Sequence, residues 1–313
     1  MTAVIEQALD RWGLGGATYT LAAARENAVY QITTPTGLMA LRLHRVGYRT
    51  DEELASELDW MAELSRHGVS VPKPVPTADG ALLVHIDGVQ IDMLSWLAGK
   101  TLDACFDTLS PAKRIDVFTE LGRAMADLHN ASDGWTPPDQ FTRAAWDIDG
   151  LLGEAPLWDR FWDNPHLTAA ERDLTLSFRD AARDTLARLA LDLDYGLIHA
   201  DLVPGNVMID GDTLHLIDFD DGGYGFRLFE LATALLKLEE ASDFIDLRHA
   251  LISGYHDRRP LDVTQLDLFL AIRAATYVGW NISRMDEPGG VARNERFIQK
   301  LVQHAQTYLD KRN

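Results

Sequence analysis

The stretch Gly196-Leu-Ile-His-Ala-Asp201-Leu-Val-Pro-Gly-Asn206-Val-Met-Ile-Asp210-Gly-Asp-Thr-Leu-His215-Leu-Ile-Asp218-Phe-Asp220-Asp221 decides how the rest of the chain is read. Two short apolar runs, Val207–Ile209 and Leu214–Ile217, flank Asp210-Gly211-Asp212-Thr213. With Gly211-Asp212 as the two-residue turn of a hairpin, residue 206 faces residue 217. Asn206 and Asp218 then meet at the open end of that hairpin. Asp201 stands five residues before Asn206, in a loop bent by Pro204-Gly205. Two carboxylates and a carboxamide with no thiolate nearby form a hard oxygen donor set. Such a set suits Mg²⁺, which keeps water and takes few protein ligands besides substrate phosphates.

The composition narrows the function classes. A chain of 313 residues, 46% of them apolar, predicts two domains or one large two-lobed unit at about 150 residues per domain. The 48 acidic and 29 basic residues leave a net charge of −19, which excludes an unassisted nucleic-acid binder, since phosphate backbones need clustered Lys and Arg. No apolar run approaches the ~20 residues of a membrane span. The start, Met1 to Asp10, carries acids where a secretory signal has a basic region, so the cytoplasm is the expected compartment. A single cysteine, Cys105, excludes an intramolecular disulfide and a cysteine-based zinc cluster.

Outward from the hairpin, the first ~95 residues read as strands with one strong helix and the remainder as mostly helix. Thr18–Thr33 and Gly37–His44 flank a Pro/Gly turn, and Ala81–Ile86 and Val89–Leu94 join at Asp87-Gly88. Between them, a helix capped by Asp51 runs to about His67 and ends at Gly68, and Val71-Pro-Lys-Pro-Val-Pro76 is a rigid extended connector. A helix starts at Ser110-Pro111, and further helical patterns cover 168–191, 226–238, 244–255, 264–284 and 295–309. The segment 133–166, rich in Trp, Pro and Asp, has weak periodicity.

His199-Ala-Asp201-Leu-Val-Pro-Gly-Asn206 resembles the H-x-D-x-x-x-x-N catalytic loop of the protein-kinase-like superfamily, and Ile217-Asp218-Phe219-Asp220 its metal-binding aspartate. The G-N and I-D-F-D strings, with Gly225-Phe-Arg-Leu-Phe-Glu-Leu-Ala232, resemble the aminoglycoside phosphotransferase and choline kinase branch. Within it, the chain is most similar to the group of homoserine kinase of the second type and the bacterial stress-response Ser/Thr kinase. The resemblance implies an α+β, bilobal protein-kinase-like fold. Its N-lobe, residues 1–94, is a small antiparallel sheet with one main helix, and its C-lobe, 95–313, is mostly helical. It further implies ATP and Mg²⁺ as cofactors, Asp201 as base or orienter of an acceptor hydroxyl, and Asn206, Asp218 and Asp220 as metal ligands. His199 is expected to hold the loop through backbone hydrogen bonds.

Met39-Ala-Leu-Arg42 falls where the resemblance places a strand lysine, so Arg42 replaces it. Glu57 lies inside the apolar face set by Leu54, Leu58 and Met61. A carboxylate there needs a partner. Arg42 is the expected one, with Glu53 the alternative carboxylate. The resemblance also assigns Arg25 and Asn27 to the turn covering the phosphates, without the glycines of protein kinases, and Met93 and Ser95 to adenine through their backbones.

For the acceptor, the irregular segment offers Trp146, Asp147, Asp149, Trp158 and Trp162, and the C-terminal helices Arg273, Tyr277, Trp280 and Arg284. Arg273, Tyr277 and Trp280 share a broad helical face. The sites expected are Trp146, Asp147, Tyr277, Trp280 and Arg273. Acids around Trp suit a cationic substrate, whereas the arginines suit a carboxylate. The resulting expectation is a monomeric or homodimeric kinase that phosphorylates a hydroxyl of a small, amine-bearing molecule: an aminoglycoside, an amino alcohol or a homoserine-like compound. The rivals are a stress-response Ser/Thr protein kinase, against which the short Gly222–Gly225 link argues, and a silent nucleotide-binding module.

Overall fold

In the computed structural model, which describes residues 2–24 and 27–312, the N-terminal elements are α1 (Thr2–Arg11), β1 (Thr18–Ala24), β2 (Ala28–Thr34), β3 (Gly37–Leu43), α2 (Asp51–Arg66), β4 (Leu83–Ile86), β5 (Val89–Ser95) and β6 (Lys100–Thr101). There follow α3 (Leu102–Cys105), α4 (Pro111–Asp133), β7 (Ala145–Trp146), α5 (Ile148–Leu152), α6 (Ala169–Leu189) and β8 (Tyr195–Ile198). The chain continues through β9 (Val207–Asp210), β10 (Thr213–Leu216), β11 (Gly223–Phe226), α7 (Arg227–Leu236), α8 (Phe244–His256), α9 (Leu266–Trp280) and α10 (Gly290–Asp310). Internal contacts divide it into two units, 1–107 with 130–143 and 205–220, and 108–129 with 144–204 and 221–313. Both are assembled from separated segments, whereas the lobes expected from sequence are each continuous.

The first unit carries an antiparallel sheet in the order β1-β2-β3-β5-β4. Its core gathers Ile32, Leu41, Leu43, Ile91 and Met93 with Ile5, Ala8, Leu9 and Trp12. Those last residues bring in α1, a helix the sequence reading did not anticipate. Thr50, rather than Asp51, caps α2: its hydroxyl accepts from the Glu53 amide, and the Glu53 carboxylate accepts from the Thr50 amide. This capping box leaves Asp51, Glu52 and Glu53 in the first turn, where the helix dipole favours acids. Asp87 (φ 49°) and Gly88 (φ 78°) form the left-handed turn that joins β4 to β5. The second hairpin pairs Asp210 with Thr213 and Val207 with Leu216, the register the two-residue turn requires. β6 extends it to three strands.

In the second unit, α9 packs against both α7 and α10, and α10 packs on α6. Nearly every residue of α9 from Leu266 to Gly279 is buried, so a charged side chain there is committed to the interior. α4 and α8 meet backbone to backbone. A Cβ on Gly122 would lie 2.1 Å from the Leu251 carbonyl oxygen, and one on Gly254 1.9 Å from that of Thr119. In a short sheet, β7-β11-β8, strand β8 leads into the loop that carries Asp201. Among the described residues, no helix is long and apolar enough to cross a membrane.

Candidate active site

The hairpin of β9 and β10 sets the first half of the site. The amide of Ile217 donates to the Asn206 carbonyl at 3.0 Å, which continues the ladder one step and brings the flanking residues Asn206 and Asp218 to its end. Asp218 has φ 69°, an uncommon conformation for a residue with a Cβ, and one that persists only where the surroundings impose it. Here they do. The ring of Phe219 is fully buried and edge-on to Trp60 at 5.2 Å. Arg143 Nη2 donates to the carbonyls of Phe219 (2.7 Å) and Asp220 (2.8 Å), and Arg49 Nη2 donates to the same Asp220 carbonyl (2.9 Å). The Asp220 carboxylate accepts from Asn27 Nδ2 at 2.8 Å. Asn27 thus meets the metal motif, while Arg25 lies outside the described residues.

Arg42 and Glu57 pair, Nη1 to Oε1 at 2.7 Å, and both are buried. Glu53 is occupied in the cap of α2. Sequence reading missed a third member of the pair. Arg42 stands opposite Asp92 in the β3–β5 ladder, and its Nε and Nη2 each donate to one Asp92 oxygen at 2.8 Å, a two-pronged grip. His44 Nε2 lies 2.7 Å from the same carboxylate. Burial pushes the Asp92 carboxyl up, but Arg42 and His44 outweigh it and bring it down to about 2. Glu57 is likewise lowered: burial opposes its charge, and Arg42 and Arg143 overcome that. Arg143 Nη1 is 3.5 Å from Glu57 Oε2 and donates to the Glu53 carbonyl at 3.1 Å. Arg143 therefore ties α2 to the backbone that follows Asp218. Its signal in the sequence is that it is the one basic residue between Asp133 and Trp158.

Met93 and Ser95 lie in β5 with backbone groups already engaged. The Met93 carbonyl accepts from the Val75 amide, and the Ser95 amide donates to the Lys73 carbonyl, both at 2.8 Å. The proline-rich connector 71–76 thus runs beside the two residues that the sequence reading assigned to adenine.

In the second unit, the loop after β8 is organised by Glu230 of α7, a fully buried carboxylate. It accepts from the amides of His199 (3.0 Å) and Ala200 (2.6 Å), immediately before Asp201. Ala200 has φ 65°, so these amides are turned out of any regular ladder and need such an acceptor. Burial pushes the Glu230 carboxyl up to about 7, against the two amides, Arg227 and Arg273. His129 Nε2 lies 3.5 Å from Glu230, and its Nδ1 is 2.7 Å from the Tyr255 hydroxyl. Burial, with Arg227 and Arg259 adding to it, lowers the His129 imidazole well below its usual range, so the ring is neutral. His199 is fully buried, and its Nδ1 accepts from the Asp201 amide at 3.4 Å.

Trp158 joins four of the acceptor candidates, Arg273, Trp146, Tyr277 and Trp280, whereas Asp147 is spent on a helix cap. Arg273, on α9, donates from Nη2 to Asp201 Oδ1 at 2.6 Å and to the Tyr277 hydroxyl at 3.3 Å. Trp146 is buried, donates from Nε1 to the Asp221 carbonyl at 2.8 Å and stacks on Phe229. Trp158 bridges them, edge-on to Trp146 at 5.3 Å and stacked with Tyr277 at 6.1 Å. Trp280 is half-buried, with Arg284 4.3 Å and Arg293 5.1 Å from its ring centre. The carboxylate of Asp147 caps α5, accepting from the amides of Asp149 and Gly150.

Residues 19–265 match the model of the phosphotransferase enzyme family, APH. An uncharacterised protein of Deinococcus radiodurans is 32% identical, over 92% of this chain and 84% of its own length. A homoserine kinase of Sinorhizobium fredii is 29% identical, over 83% of this chain and 76% of its own. The solved structure of a microcompartment-associated aminopropanol kinase superposes with a TM-score of 0.86 at 29% identity, covering 99% of this chain and 98% of that one. The α+β fold is that of the protein-kinase-like phosphotransferases. With most of its length matched by the family, and with relatives named homoserine kinase and aminopropanol kinase, this chain belongs to the APH phosphotransferase family and is a kinase with an alcohol group as acceptor.

Proposed function

We propose that the chain transfers the γ-phosphoryl group of Mg·ATP to a hydroxyl of a small, amine-bearing molecule of the size of homoserine or an amino alcohol. The observation that carries this reading is that two aspartates at motif positions, Asp201 and Asp218, each sit at a left-handed bend held by dedicated buried side chains. The names of two relatives, a homoserine kinase and an aminopropanol kinase, favour a small acceptor over a protein.

Asn206 and Asp218 offer a carboxamide and a carboxylate, oxygen donors that fit Mg²⁺ shared with phosphates. Asp220 is the further candidate. When bound, the ion offsets the charge of the β- and γ-phosphates. Asp201 accepts the hydrogen bond of the acceptor hydroxyl and takes its proton as the hydroxyl oxygen bonds to the γ-phosphorus. The bond from that phosphorus to the bridging oxygen breaks, giving a phosphate ester and ADP. Positioning and charge neutralisation provide most of the rate. Arg42 takes the place of the strand lysine, but its links to Asp92 and Glu57 offset its charge. Its contribution is to fix those carboxylates more than to add net positive charge.

The test is Mg·ATP-dependent phosphorylation, read by mass spectrometry, of homoserine, 1-amino-2-propanol, choline, aminoglycosides and a generic Ser/Thr protein. One small phosphorylated product, lost in Asp201→Asn, is expected. Labelling of the protein alone would overturn the small-acceptor reading.

A further inference from the structure

We infer that Arg273 is a positioning residue for Asp201, and that the rings of Trp158, Tyr277 and Phe229 serve this internal cation rather than a cationic group of the acceptor. The inference rests on the role of Asp201 proposed above.

Arg273 is fully buried, whereas the side chain of Asp201, its charged partner, is 24% exposed. The clamp is inside and the clamped group faces outward. Among the described residues, only Nη2 finds oxygen partners: Nε and Nη1 are buried without a hydrogen-bond acceptor. An unpaired guanidinium edge in the interior is costly unless something else meets its charge. Aromatic faces do so here. The guanidinium carbon lies 4.4 Å from the Trp158 ring centre, 4.5 Å from Tyr277 and 5.2 Å from Phe229, within cation–π range of all three.

This arrangement resolves two opposed readings of the same aromatic and basic residues. A cage of Trp, Tyr and Phe near acids suggests a bound ammonium, but this cage already contains a cation. The Tyr277 ring also stacks on Phe297 at 5.0 Å and has the Lys237 ammonium 5.6 Å from its centre. A second cation would meet like charge on both sides. Equally, the sealed Nε and Nη1 atoms are out of reach of an acceptor carboxylate. Arg273 acts through Asp201, fixing the orientation of its carboxylate, and an acceptor ammonium is recognised elsewhere.

A mutant cycle separates this role from acceptor binding. Wild type, Asp201→Asn, Arg273→Met, Arg273→Lys and the Asp201→Asn/Arg273→Met double variant are assayed with Mg·ATP and homoserine or 1-amino-2-propanol. Slow ATP hydrolysis, with water as acceptor, carries the same cycle. Arg273→Met is expected to lower kcat about 100-fold, the scale of a misplaced catalytic group, with KM for acceptor and ATP within about threefold. Arg273→Lys should recover part of kcat. In the Asp201→Asn background, Arg273→Met should cost nothing further, because its effect passes through Asp201.

A rise in acceptor KM with kcat preserved, or an additive loss in the double variant, overturns the inference. Wild-type turnover by Asp201→Asn overturns instead the reading on which it rests. Independently of any acceptor, a crystal structure of Arg273→Met in which the Asp201 carboxylate keeps its wild-type orientation would contradict the positioning role.

Discussion

The segment after Asp218 is gripped through its carbonyl oxygens by cations, Arg143 and Arg49, whereas the loop before Asp201 is gripped through its amides by an anion, Glu230. Both segments contain a non-glycine residue in the left-handed region, Asp218 in one and Ala200 in the other. Such bends turn backbone groups out of helix and sheet, and buried groups must be satisfied some other way. The polarity of the exposed groups dictates the sign of the side chain that answers them. The electrostatic outcomes differ. Around Arg143 the charges cancel locally, because Arg42 and Arg143 face Glu57 and Asp92, and both carboxyls are held below their ordinary range, Asp92 at about 2. Glu230 is held largely by backbone dipoles, and burial raises it to about 7. One clamp is built to be insensitive to pH and the other titrates near neutrality.

The largest effect expected comes from breaking the balanced cluster. Arg42→Met leaves the buried Asp92 carboxylate to His44 and the buried Glu57 carboxylate to the more distant Arg143, and should cost about 3–5 kcal/mol of stability, measured by urea unfolding. Arg42→Lys keeps the charge but loses the two-pronged grip, and should fall between.

The next effect sharpens the contrast in pH. The native carboxyl of Glu230 at about 7 lies above its unfolded value, so the native state holds more protons between the two. Its contribution to stability is full below the unfolded value and is lost as pH rises through about 7. Glu230→Gln removes that dependence. The substitution should therefore be costlier at pH 5 than at pH 8, by about 2–3 kcal/mol, in unfolding experiments at the two pH values. An equal cost at both would show that Glu230 does not titrate in this range. The smallest effect is that of Arg143→Gln, which frees the carbonyls after Asp218 without stranding a backbone amide. It should raise KM for Mg·ATP about tenfold, equivalent to about 1.4 kcal/mol, while leaving kcat within about threefold.

How much of this was legible in the sequence depended on the distance over which each signal acts. The hairpin register that brings Asn206 and Asp218 together follows from a two-residue turn, a local feature, and it is present as read. Glu57 stood out because it interrupts an apolar helix face. The same rule applies to Asp92 within Ile91–Leu94, to Glu230 within Leu228–Leu236 and to Arg273 within α9, and each proves to be a buried, partnered charge. What the sequence does not provide is the identity of the partner, since Arg42 and Asp92 are 50 residues apart, Glu230 and Ala200 30, and Arg273 and Asp201 72. Arg143 escaped for a different reason: it lies in an irregular segment with no periodicity to break. The pairing of the proline-rich connector with β5 at Met93 and Ser95 was not legible either, because prolines read as a spacer give no sign of the strand they lie against.

The most direct test of the contrast between the two clamps is to measure equilibrium binding of Mg·ATP and single-turnover phosphoryl transfer on the same preparations of Arg143→Gln and Glu230→Gln. The account predicts a divided result. Arg143→Gln weakens Mg·ATP binding with the transfer step preserved, and Glu230→Gln slows transfer with binding preserved. If both variants lose the same parameter, the two clamps do not serve separate aspartates, and the assignment of Asp218 to the nucleotide and Asp201 to the acceptor is contradicted.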